Sequence, residues 1–189
     1  MSLQATGTHF GYVYQGAARL ECASGSFAVA QGMYFAVPGA LRIAQGEGLV
    51  ITRLGYRGWF QLGGPVENQG RLRYIDGCTD SLLIPPLVLG DACLNLLHLP
   101  PQTRQTRHTH PSLRAGLIIR GQGHCVTPQQ RIPLTPGQVF VIEAQEAHSF
   151  HTESSQLLVL AYHPDSDFGP THERHPMINR TVIGATEAP

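Results

Sequence analysis

The chain carries one pattern of short apolar runs and glycine punctuation twice, 105 residues apart. Gly16 and Gly32 lie over Gly121 and Gly137 with the same internal spacing of 16. The words around them agree: GYVYQG at Gly11 overlies GLIIRG at Gly116, and QGMYFAVPG at Gln31 overlies PGQVFVIEA at Pro136. Repetition at a fixed offset is the mark of an internal duplication. No helical window shows a 3.6-residue apolar period, whereas Val, Ile, Leu and Tyr recur in short runs between Gly and Pro, the signature of strands. Six such runs per half predict an all-β chain folded as small barrels or two-sheet sandwiches, which limit exposed strand edges.

Composition narrows the class. Of 189 residues, 42% are hydrophobic and 14% charged, which excludes a disordered chain. Thirteen basic and thirteen acidic residues cancel, so no global field draws the protein to nucleic acid or an anionic membrane. No helix-turn-helix pattern flanks the repeats, and small-molecule partners are expected instead. The longest apolar run, 82–89, is broken by Pro85 and Pro86 and is too short for a membrane span. The N-terminus lacks a charged and apolar leader, which predicts a cytoplasmic location. Cys22, Cys78, Cys93 and Cys125 show no CxxC spacing and are read as free thiols.

Ten histidines are the compositional oddity, because imidazole is the commonest metal ligand. His108 and His110 are two apart, so on an extended strand both rings project from one face. His148 opens a later run, HSFH, that a closed sheet brings beside the pair. Three neutral imidazoles with open positions suit a divalent transition metal, with Fe, Ni, Mn, Cu and Zn all admissible.

These residues carry a family resemblance. His108, His110 and Gly121, followed by Gly137 and His148, resemble the two motifs of the cupins, and the repeated chain resembles a bicupin. The resemblance implies tandem double-stranded β-helix (jelly-roll) barrels of the RmlC-like kind. It divides the chain into a degenerate N-terminal barrel at 1–60, a linker or arm at 61–90, a metal-binding barrel at 91–165 and a tail at 166–189. Two departures stand out: Arg114 occupies the place of the motif glutamate, and Glu143 the place of a proline. The first half keeps Gly16, Gly32 and Pro38, but puts His9 at the glutamate position and Ile43 at that of His148, so only one site is expected.

A guanidinium among metal ligands repels a cation, so Arg114 is expected either to pair with Glu143 or Glu146, or to clamp a substrate anion. His98, on the run before the pair, is a candidate for the same substrate pocket or a fourth ligand. His151, at an odd offset from His148, is expected on the opposite face, and His124, His163, His172 and His175 are read as surface histidines. The resemblance implies a dioxygenase or isomerase, with Glu143, Glu146 and Tyr162 as possible bases, or a non-catalytic binder of metal or small molecules. A homodimer is expected, through the first barrel or the apolar segment SLLIPPLVLG at Ser81.

Overall fold

A computed structural model describes residues 1–88 and 90–165; the tail, with His172 and His175, lies outside the described residues. The first half runs through β1 (Ser2–Leu3), β2 (Gly7–Gln15), β3 (Ala17–Cys22), β4 (Gly25–Ala30), β5 (Tyr34–Pro38), β6 (Leu41–Ala44), β7 (Glu47–Leu54) and β8 (Gln61–Gly63). The second holds β9 (Leu72–Arg73), β10 (Thr79–Ile84), β11 (Cys93–Leu99), β12 (Arg114–Gly121), β13 (Gly123–Val126), β14 (Arg131–Leu134), β15 (Val139–Ile142), β16 (Ser149–His151) and β17 (Leu157–His163). They form four antiparallel sheets, in the orders β1-β6-β3-β4 and β7-β2-β5-β8, then β15-β12-β17-β11-β10-β9 and β14-β13-β16. The all-β architecture anticipated from punctuation and period is observed, and the sheets are consistent with the jelly-roll barrel that the resemblance implies.

Strand register repeats with the sequence. His9 pairs with Val37 on β2 and β5, and Arg114 with Ile142 on β12 and β15, both shifted by 105. The bulge between Val13 and Gln15 recurs between Ile118 and Arg120. Because one residue of slip would turn every inward side chain outward, matched register means matched interiors. Gly11 and Gly116 show why: a Cβ at either would overlap the ring of Phe35 or Phe140, residues again 105 apart. Each phenyl ring lies flat across a strand that has no side chain there.

Register also corrects one equivalence. Leu3 faces Leu41 on β1 and β6, just as His108 bridges His148, because the loop before His148 is two residues longer than the one before Leu41. Leu41, buried, therefore stands in the position of His148, and Ile43, which pairs with Leu20, answers to Phe150, which pairs with Cys125. The first half has an apolar pair where the second has two imidazoles. His9, at the place of Arg114, is a satisfied core histidine, with Nδ1 2.8 Å from Thr52 Oγ1 and Nε2 2.8 Å from the Gly39 carbonyl.

Much of the segment read as a linker or arm is woven into the sheets. Gln61–Gly63 adds to β5 as β8, and β10 lies beside β11 over Thr79 to Ile84. Its glycine-rich start hid these pairings, since β8 is only three residues long and β10 follows a break at Gly77. Core residues fall into three clusters, one inside each half and one between them. The last joins Phe10, Tyr12 and Ala36 to Leu94, Leu117, Leu160 and Tyr162, with Phe10 tilted on Tyr162 at 5.2 Å.

Candidate metal centre

His108 sits on a lone bridge to His148, made by reciprocal backbone hydrogen bonds of 3.0 Å, and not in a full strand. Pro111, which has no N–H, stops the ladder at once. His110 is tied instead through its carbonyl, which accepts from the Gln145 amide at 2.7 Å. The outcome is still convergent. The three ring centroids lie 4.6–5.2 Å apart, and one nitrogen from each ring lies within 4.8 Å of the others.

Two of the rings are held in a definite tautomer. His108 Nδ1 lies 2.7 Å from the Thr106 carbonyl and His148 Nδ1 2.8 Å from the Glu146 carbonyl, in each case the residue two before it. A carbonyl only accepts, so Nδ1 carries the proton and Nε2 keeps its lone pair, the arrangement that orients metal-ligating histidines. His110 Nδ1 is buried with no hydrogen-bond partner, a nitrogen whose burial without a metal or a donor is costly. Burial pushes the His148 pKa down to about 4 and that of His110 to about 2, with Arg114 and the neighbouring imidazoles adding to both; burial also lowers His108. All three are neutral near pH 7, the form that coordinates. The donor set therefore fits a divalent transition metal.

The triad opens into a cavity of about 40 Å³ walled by Leu97, Phe140, Ile142 and Phe150, with Asp80, Arg114 and His163 also on its lining. A second cavity of about 70 Å³ adjoins it and shares Phe140, Ile142, His148 and Phe150. Since a water needs roughly 10–15 Å³ of such space, the first holds on the order of three waters.

Arg114 is buried at 3% exposure and lines this cavity. Its Nη1 donates to Ser112 Oγ at 2.7 Å and to the Leu113 and Ser112 carbonyls at 2.9 and 3.2 Å. Glu146 Oε2 accepts from the Glu143 amide at 3.2 Å, so that carboxylate serves its own turn, whereas the arginine donates to Ser112 and Leu113. His98 is not brought to the triad. Leu97 faces the cavity, and alternation turns His98 to the other face, where its ring meets Thr79 Oγ1 at 3.3 Å and Gln156 Oε1 at 3.2 Å. Glu146 reaches only the adjoining cavity, and Tyr162 points at Phe10 between the halves.

Tyr74, Asp80, Gln105 and His163 line the cavity and escaped the sequence reading. His163, taken as a surface residue, lies 6.5 Å from His110 between ring centroids. The alternation of LLVLAYH carried that signal, because Ala161 and His163 share a face opposite Tyr162. Asp80 had no such signal. It is 3% exposed, lies beside Leu97 on the neighbouring strand, and accepts a 2.8 Å hydrogen bond from Asn95 Nδ2.

Burial pushes the Asp80 carboxyl up to about 7, against a smaller opposing effect of Asn95. Its folded pKa is thus above its unfolded value near 4, so the folded state holds a proton that the unfolded state releases between those values. Stability from this group is present at pH 4 and is lost as pH rises through 7, at up to about 1.4 kcal/mol per unit. Asp80→Asn should flatten this slope, read by urea denaturation at pH 5 and 8; an unchanged slope would show that Asp80 is ionised throughout.

Residues 95–164 match the sequence model of the Cupin domain family. No curated protein sequence matches the chain. Among solved structures, a cupin 2 conserved barrel domain protein from Leptotrichia buccalis is 12% identical with a TM-score of 0.61, over 86% of this chain and 76% of that one. Protein Ylba from E. coli is 21% identical with a TM-score of 0.56, over 86% and 75%. Salicylate 1,2-dioxygenase from Pseudoaminobacter salicylatoxidans, solved with gentisate, is 11% identical with a TM-score of 0.62, over 87% and 66%. At such identities the likeness is one of fold. The match of residues 95–164 to the Cupin domain model and these neighbours together show that the chain takes a cupin-like fold.

Proposed function

We propose that the chain is a bicupin whose second barrel, 91–165, holds one divalent transition metal on His108, His110 and His148 and acts on a small molecule. The domain division carried with this reading is a silent barrel at 1–60, a connecting segment at 61–90 whose strands add to the sheets of both halves, and a tail at 166–189. The observation that supports it is the pair of Nδ1-to-carbonyl hydrogen bonds that leave a lone pair on Nε2 of two rings, in a triad with one nitrogen of each ring within 4.8 Å of the others. Bound there, a metal of the Fe, Ni, Mn, Cu or Zn class supplies either activation of dioxygen or Lewis acidity. The reaction class this favours is that of a dioxygenase or isomerase. Arg114 lines the cavity wall and is the residue that would meet an anionic substrate group, and His98 is left out of the site. The chain is further proposed to be a homodimer. Its four free cysteines suit a reducing, cytoplasmic setting, and no described helix is long and apolar enough to cross a membrane.

A second reading has its own support. Organic ligands occupy pockets of roughly 300–1,000 Å³, and the cavity at the triad is about 40 Å³. A site of that size suits a non-catalytic protein that holds a metal with its waters. Oxygen uptake by the metal-loaded protein with small diketones and hydroxy acids decides between the two. Uptake that is absent in a His108→Ala/His110→Ala control supports the enzyme. Stoichiometric metal with neither uptake nor altered substrate, the latter followed by proton NMR, leaves the binder.

A further inference from the structure

The repeat shows what one surface of the first half lacks. In the second half, β17 lies between β12 and β11, and its residues are buried almost throughout. Its counterpart β7 is paired with β2 on one side and, among the described residues, forms the edge of its sheet on the other. The strand carries Leu49, Val50, Ile51 and Thr52 with no proline or lysine to blunt that edge, the kind of strand that pairs with another chain unless covered.

A cavity lies beside it. It measures about 320 Å³ and is lined by Val13, Ala18, Phe35, Ile43 and Val50 together with Gly46 and Gly48. In the second half, β11 places Leu97 opposite Val159 and Leu99 opposite Leu157, and both leucines belong to the core. Pairing of β2 with β7 and of β12 with β17 sets Val50 against Ala161, so Val159 and Leu157 answer to Gly48 and Gly46. The cavity is therefore the empty seat of the two inward side chains that a neighbouring strand supplies in the other barrel.

The geometry points to a second copy of this chain as the occupant, paired β7 to β7 about a two-fold axis through Leu49. This specifies the surface of the homodimer proposed above. Antiparallel pairing in that register puts the partner's Val50 opposite Gly48 and the partner's Thr52 opposite Gly46, on the inner face, and the reciprocal contacts follow from the symmetry. Small residues meet large ones in both directions, which makes the edge self-complementary. Two four-stranded sheets then join into one of eight.

Sedimentation velocity of the full chain at micromolar concentration tests this. The expected mass is twice 20.6 kDa for the unaltered protein and a single chain for Val50→Glu, which sets two carboxylates in the shared seat. Because that variant could misfold, Leu49→Cys provides a second measurement. Its thiols face each other across the axis, and oxidation should give a reducible dimer on a denaturing gel while the unaltered protein, treated alike, gives none. A single-chain mass for the unaltered protein overturns both the dimer and its placement. A dimer that survives Val50→Glu without cross-linking through Leu49→Cys overturns the β7 placement alone.

Discussion

Loaded with metal and then treated with a chelator, the unaltered protein is expected to lose several degrees of thermal stability, while His108→Ala/His110→Ala loses none. Binding to the folded state alone adds about 2.7 kcal/mol when free metal stands at 100 times its dissociation constant. For a chain of this length each kcal/mol moves the midpoint by roughly 2–4 °C. The variant removes two of three donors and leaves no chelating set, so elemental analysis should find it essentially metal-free. A variant that retains metal would move the centre elsewhere.

The second large effect is expected at Gly116. A Cβ there overlaps the Leu160 carbonyl and crowds the Phe140 ring, and backbone cannot yield as a flexible side chain can. Gly116→Val should destabilise the fold by about 3 kcal/mol or more, the upper range for overpacking, and should displace Phe140 from the cavity wall. Urea denaturation measures the first consequence and metal affinity the second. An exposed glycine such as Gly55, with open space about it, provides the contrast, although its positive φ of 71° still disfavours a side chain.

How much of this was legible from the residues depended on the range of the interactions involved. The duplication and the histidine triad were legible, because periodic glycines and an HxH pair are local signals that survive without knowledge of register. Leu41 was not, since a two-residue difference between loops moves the equivalence from Ile43 and only strand pairing reveals it. Asp80 was hidden for a related reason. It reaches the cavity through its pairing with Leu97, 17 residues on, and nothing in the segment around it announces that pairing. Arg114 was recognised as a departure, but its hold on Ser112 and Leu113 is a side-chain geometry that spacing does not encode. Strands β8 and β10 were passed over as linker because short strands in glycine-rich surroundings give too little alternation to read.

The core cluster between the halves has a consequence for how the molecule comes apart. Phe10 and Tyr12 bury themselves against Leu117, Leu160 and Tyr162, so neither half keeps a closed apolar face without the other. Unfolding is then expected to be a single cooperative event in which both halves open together. Free energy contributed by a ligand on His108, His110 and His148 is thereby shared with strands that touch no ligand. Backbone amides of β2, in the half where leucines replace histidines, are therefore expected to exchange with solvent more slowly in the metal-loaded protein than in the stripped one.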